Sequence, residues 1–128
     1  MNAWCVEQHG KSGLTEAVLT SCITTEDAEQ KVLQFLEQHL PGLKGSVPLA
    51  GNSVHADKRF LEKEMPLIID YLHYRIIDVS TIKELTKRWY PKAANSLVKK
   101  NMHRAMDDIK ESIEELKYYR QHVFIHNQ

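Results

Sequence analysis

The sequence predicts an α/β chain in which helices pack on a small, largely parallel sheet. Three observations carry that prediction. Two short apolar runs, residues 47–50 (Val-Pro-Leu-Ala) and residues 74–79 (Tyr-Arg-Ile-Ile-Asp-Val), read as buried strands. Each is followed by segments of helical period, the order that favours a parallel sheet. From residue 105 the chain carries Met106, Ile109, Ile113 and Leu116 at helical spacing, the mark of a long amphipathic helix.

Taken in order, Trp4 and His9 open the chain, Lys11-Ser12-Gly13 makes a turn, and residues 14–19 are a short apolar piece. Thr24 and Asp27 have capping-box spacing, so a helix starts there. Ala28, Val32, Phe35, Leu36 and Leu40 give it an apolar face, and Pro41-Gly42 stops it. Gly45 and Gly51 bound the first strand, with Gly51-Asn52-Ser53 as the turn at its C-terminal end. The next helix is expected from about His55, with Asp57, Phe60, Leu61 and Met65 on related faces, and Pro66 ends or kinks it. A short helix fits residues 67–72, ahead of the second strand.

Thr81 and Glu84 again have capping-box spacing, before a helix whose core side is Ile82, Leu85 and Trp89. Tyr90-Pro91 ends that helix, and residues 92–102 read as a polar, mobile loop. Two strands are few for a sheet, so strands are either missing from this chain or supplied by a partner.

At 128 residues the chain is one domain or part of one, and 42% apolar content suffices for a core. The 17 basic and 17 acidic side chains cancel, so no global field draws it to nucleic acid or an anionic membrane. Any nucleic-acid contact must come from local basic spots such as Lys58-Arg59, Lys87-Arg88 or Lys99-Lys100, residues that otherwise read as solvated surface. Cys5 and Cys22 have neither metal spacing nor the density of a secreted scaffold, which points to a reducing compartment. No stretch approaches the length of a membrane span, and the N-terminus does not resemble a signal peptide.

On the final helix, at about 100° per residue, Ala105, Met106, Ile113 and Leu116 fall close to Ile109 and define the expected buried stripe. Asp107 lands opposite the stripe, in solvent. Asp108 lands at its flank, half-buried, with His103 about a turn earlier. Such a pairing can hold a cation and manage a proton. Both acids also suit the N-terminal turn of a helix through its dipole alone.

Three blocks and the closing segment together resemble the oligoribonuclease family, 3′-to-5′ exoribonucleases that degrade short RNA to nucleotides. They are Trp4 with His9 and the Lys-Ser-Gly-Leu run to Leu14; the Gly51-Asn-Ser-Val-His-Ala-Asp-Lys-Arg-Phe-Leu61 block; and His73-Tyr-Arg-Ile-Ile-Asp-Val-Ser-Thr81 with Lys-Glu-Leu85 and Arg-Trp89. The segment from His103 to Ser112 completes them. The resemblance implies a ribonuclease-H-like fold and a site of four carboxylates and a histidine that binds two divalent metals, Mg2+ or Mn2+. Hard cations of this kind prefer oxygen ligands.

Carried over, Asp57 and Asp108 are metal-binding carboxylates and His103 is the general base on the attacking water. Trp4 stacks on a base, with His9 close to it. Ser53, Arg75, Ser80 and Thr81 hold the terminal phosphate, a demand that favours very short chains. Tyr74 reaches the neighbouring subunit's active site in a homodimer. Each residue also has a plainer reading: Asp57 as a first-turn helix acid, His103 as a loop histidine, Trp4 as core and Tyr74 as an edge-strand tyrosine.

The family's first motif, Asp-x-Glu on the first strand, has no counterpart here. The Asp-x-Glu-like spellings lie in surface helices and none follows a strand. The sequence therefore predicts an incomplete, helix-rich version of the exonuclease fold over residues 1–128, lacking its N-terminal strands. The expected function is exoribonuclease, with little or no turnover by the chain alone. The alternative is a non-catalytic protein that binds RNA ends and dimerises with, or regulates, a full-length relative. The expected compartment is the cytoplasm or the mitochondrion.

Overall fold

A computed structural model describes residues 14–95 and 105–126. They fall into two compact units. One is the continuous segment Ile23–Thr81, which carries the strands. The other joins the described residues before position 23 to those from Ile82 onward and is helical.

The strand-bearing unit begins with α2 (Thr25–His39), which follows α1 (Leu14–Thr20) in the chain. Thr24 caps α2 as its spacing predicts: its hydroxyl accepts from the Asp27 N–H, and the Asp27 carboxylate accepts from the Thr24 N–H. The chain then turns through Gly42 and Gly45, both with positive φ. Strand β1 is Leu49–Gly51, helix α3 is Val54–Glu64, helix α4 is Pro66–Tyr71, and strand β2 is Ile76–Asp78. The strands pair in parallel, with Leu49 opposite Ile76, Ala50 opposite Ile77 and Gly51 opposite Asp78. Val47 and His73 extend the pairing at the other end through a His73 N–H to Val47 carbonyl bond of 2.9 Å.

Helix α3 packs on both strands and on α4, and α4 packs on α2. Val54, Ile68, Tyr71 and Val79 are the buried apolar residues of this unit. Pro66 occupies the first turn of α4, where its missing N–H costs nothing. It therefore opens a helix as well as closing one. The next N–H, that of Leu67, donates to the carboxylate of Glu29 at 3.0 Å. Tyr71 donates its hydroxyl to the Leu40 carbonyl at 2.7 Å, which ties the end of α4 to the end of α2.

The second unit contains most of α5 (Val79–Trp89), then α6 (Pro91–Ala94) and α7 (Ala105–His122). Thr86, Glu115 and Tyr119 are its buried side chains. The Tyr119 hydroxyl donates to Glu115 at 2.7 Å, and the Tyr118 hydroxyl donates to the Ala93 carbonyl at 2.6 Å. Ile82, Leu85, Trp89, Tyr90, Val123 and Phe124 line a shallow cavity of about 190 Å³. No helix among the described residues is long and apolar enough to cross a membrane.

Several expectations need correction. Residues 91–94 are helical, and residues 96–102 lie outside the described residues. Helix α5 begins at Val79, not at Thr81; Asp78 sits at its start and accepts from the Ser80 N–H, the role that spacing gave to Thr81.

The stripe expected to be buried on α7 is exposed: Met106, Ile109 and Ile113 are each half or more open to solvent. The face that is covered runs through Ser112, Glu115 and Tyr119, and Asp108 lies on its N-terminal continuation by steps of four, three and four residues. Asp108 is nevertheless exposed and Asp107 half-buried, the reverse of the expectation. Packing within the unit selects the Glu115–Tyr119 face, which leaves the more apolar stripe uncovered. On α2, likewise, Val32 and Phe35 are exposed while Glu29 is buried.

Candidate active site

The C-terminal ends of β1 and β2 bring together residues that are distant in sequence. Each strand passes directly into a helix start, β1 through Asn52-Ser53 into α3 and β2 through Asp78 into α5. The first helical residues, Val54 and Val79, are each only 2% exposed and anchor both starts in the core. Ser53 and Ser80 therefore stand side by side above two buried valines, with hydroxyl oxygens 3.2 Å apart.

Ser53 is the only residue besides glycine with positive φ among the described residues (φ 52, ψ 38). Its N–H donates both to Asp78 Oδ1, at 2.9 Å, and to Ser80 Oγ, at 2.9 Å. The same Asp78 oxygen accepts from the Ser80 N–H at 2.9 Å. Ser80 donates its hydroxyl proton to Asn52 Oδ1 at 3.1 Å. That commits the single proton of Ser80, so in the 3.2 Å contact between the two hydroxyls Ser53 is the donor. His55 Nδ1 lies 3.9 Å from the second Asp78 oxygen. Two helix starts and paired hydroxyls thus meet at the carboxyl ends of the parallel strands, with the Ser53 and Ser80 N–H groups already donating to Asp78.

Of the residues expected to hold a phosphate, the structure joins Ser53 and Ser80 directly. Thr81 follows in the first turn of α5 and is exposed. Arg75 stands at the other end of β2: three residues of strand rise, roughly 10 Å, separate its backbone from that of Asp78. Its guanidinium lies 5.3 Å from the Tyr74 ring centroid, and Tyr74 in turn stacks on His73 at 4.5 Å. The Tyr74 carbonyl accepts from Lys58 Nζ at 2.7 Å, and the Tyr74 ring is exposed. Asp57 is exposed in the first turn of α3, one turn beyond Ser53. Asp108 belongs to the other unit, and Trp4, His9 and His103 lie outside the described residues.

Sequence reasoning missed Asp78, Asn52 and His55. Asp78 carried a usable signal, since an Asp just before a helix is a favoured cap. Asn52 and His55 carried none, because their partners are supplied by another segment. The one Asp-x-Glu spelling in the described part of α2, Asp27-Ala28-Glu29, is structural: Asp27 closes the capping box and Glu29 takes the Leu67 N–H. Among the described residues no group of three or more His, Cys, Asp or Glu is gathered to hold a metal ion.

Comparison with known proteins gives this geometry its context. The exonuclease family profile matches residues 1–116. The mitochondrial oligoribonuclease of Mus musculus is 57% identical over 125 residues, which are 97% of this chain and 52% of the mouse protein. A probable oligoribonuclease of Dictyostelium discoideum is 60% identical, with 97% of this chain and 64% of that protein covered. The oligoribonuclease of Pseudoalteromonas atlantica is 52% identical, with 97% and 67% covered. The chain thus spans between half and two thirds of the length of these curated relatives. The exonuclease family has the ribonuclease-H-like α/β fold and uses divalent metal ions. The chain belongs to the oligoribonuclease family of exonucleases.

Proposed function

We propose that this chain carries the substrate-binding part of a 3′-to-5′ exoribonuclease site that degrades short oligoribonucleotides to mononucleotides. The observation that supports this most is the paired hydroxyls of Ser53 and Ser80 at the ends of two parallel strands, in a chain of this family. Relatives are named oligoribonucleases, and a hydroxyl pair at two helix starts suits the terminal phosphate of a short RNA. In this reading Ser53, Ser80 and Thr81 bind that phosphate. Arg75 adds charge once its side chain turns from the Tyr74 ring, and Trp4 and His9 receive a base.

Asp57 and Asp108 are the proposed metal ligands and His103 the proposed base that takes the proton of the attacking water. Their oxygen donors fit Mg2+ or Mn2+ in kind, and two carboxylates are too few in number for a pair of such ions. When bound, these ions neutralise charge on the scissile phosphate and lower the pKa of a coordinated water. The remaining carboxylates belong to the Asp-x-Glu motif of the family. On the same reading, the two-stranded sheet is completed by further strands, supplied by a longer polypeptide or a partner. A parallel pair is ordinarily the centre of a larger sheet covered on both faces. The proposed partners are short single-stranded RNA and a second copy or a full-length relative, with Tyr74 reaching across the dimer.

A second reading rests on the serine pair alone: a non-catalytic protein that binds RNA ends and modulates a complete family member. Incubation with a labelled RNA dinucleotide and Mn2+ separates the two. Release of mononucleotide, lost in Asp57→Ala and Asp108→Ala, supports catalysis. Binding of the dinucleotide without cleavage supports the second reading. Neither binding nor cleavage by a folded chain overturns both.

A further inference from the structure

We propose that Asp78 is a positioning residue that sets the serine pair for phosphate recognition, an inference that rests on the substrate reading above. Ser53, just before α3, and Ser80, in the first turn of α5, are 27 positions apart, and the β1–β2 ladder ends at Gly51 and Asp78. Beyond that point, one carboxylate oxygen joins the two segments: Asp78 Oδ1 accepts from both serine N–H groups at 2.9 Å. Bonds from N–H groups to a carboxylate are shorter and stronger than neutral ones, so this clamp fixes the spacing of the two hydroxyls.

The clamp has a second consequence. Backbone N–H groups at helix starts ordinarily meet an anion directly. Here both are already satisfied by Asp78, whose side chain is only 17% exposed. A phosphate arriving at this place therefore meets the hydroxyl pair, in which Ser80 donates to Asn52 and Ser53 donates to Ser80 until it turns to the ligand. Ser53 holds its left-handed backbone while its N–H is gripped. Once released, it relaxes towards the ordinary regions and carries its hydroxyl away from Ser80. Asp78 thus sets which groups face the ligand and how far apart they stand, without touching it.

The test is the preference of the full chain for 5′-phosphorylated over 5′-hydroxyl RNA dinucleotide, measured by calorimetry on the wild type, Asp78→Ala and Asp78→Asn. The asparagine variant keeps an acceptor oxygen for the two N–H groups. Asp78→Ala is expected to reduce the preference by about tenfold or more, with 5′-hydroxyl affinity unchanged, and Asp78→Asn to restore most of it. A preference unchanged in Asp78→Ala overturns the proposal. So does tighter phosphate binding in both variants, which would make Asp78 a mere repulsive charge. If Asp78→Ala does not fold, Asp78→Glu decides: displacement of the carboxylate by one methylene lowers the preference if the clamp sets the spacing, and an undiminished preference overturns it. If the wild type binds neither dinucleotide, the substrate reading fails. Amide exchange then still judges the clamp: protection of the Ser53 and Ser80 N–H groups lost in Asp78→Ala and kept in Asp78→Asn supports it, and protection kept in both overturns it.

Discussion

Ser53 adopts a backbone that a side chain with a Cβ holds at a cost of roughly 1–3 kcal/mol. Hydrogen bonds to Asp78 and Ser80 offset that cost, and it is incurred where a ligand would bind. Ser53→Gly should therefore leave stability unchanged or raise it, within about 1 kcal/mol in a urea titration, while removing a hydroxyl proposed to bind phosphate. A large loss of stability would show that the hydroxyl, not the backbone, carries the local structure. Tyr119 makes a different case. Burial, and then its hydrogen bond to Glu115, hold its hydroxyl above the ordinary phenol range. A folded pKa above the unfolded one means that this contribution is fully present below about pH 10 and is lost as pH rises above it. Thermal melts should fall more steeply above that pH in the wild type than in Tyr119→Phe. At neutral pH the Phe variant should be less stable by roughly 1–3 kcal/mol, the cost of leaving a buried acceptor short of a donor.

Capping explains which elements were legible in the sequence. The Thr24–Asp27 box is local, and both predicted bonds form. Thr24→Ala should cost about 1 kcal/mol in chemical denaturation, and no measurable cost would remove the box as the determinant of the α2 start. The two strands were legible from bounded apolar runs; the structure trims the second to Ile76–Asp78 and shifts the first to Leu49–Gly51, taking in Gly51 that was expected in the turn. Their parallel pairing followed from the intervening helices. The buried faces were not legible, because periodicity locates an apolar stripe but not its cover. Glu29 is buried because Leu67, 38 positions away, needs an acceptor, while Val32 and Phe35 on the same helix stay exposed. Glu29→Ala should destabilise the chain by roughly 1–3 kcal/mol in a urea titration, in contrast with Phe35→Ala, which should be nearly neutral. The site was half legible for the same reason. The resemblance pointed to Ser53 and Ser80, which the structure brings together, whereas Asp78 adds to a local cap on Ser80 a bond to Ser53, 25 positions away, that only the fold supplies.

At the scale of the molecule, the buried apolar residues among the described ones are few, and Val32 and Phe35 on α2 and Met106, Ile109 and Ile113 on α7 stand in solvent. Such surfaces bind hydrophobic dyes and promote association. In the proposed function the ends of β1 and β2 form the phosphate end of an RNA site. The most direct test is an amide-resolved NMR titration of the chain with a 5′-phosphorylated RNA dinucleotide. The account predicts saturable shifts centred on Asn52, Ser53, Ser80 and Thr81, absent when the 5′-phosphate is removed. Shifts confined to other segments, or the same shifts without the phosphate, would contradict it.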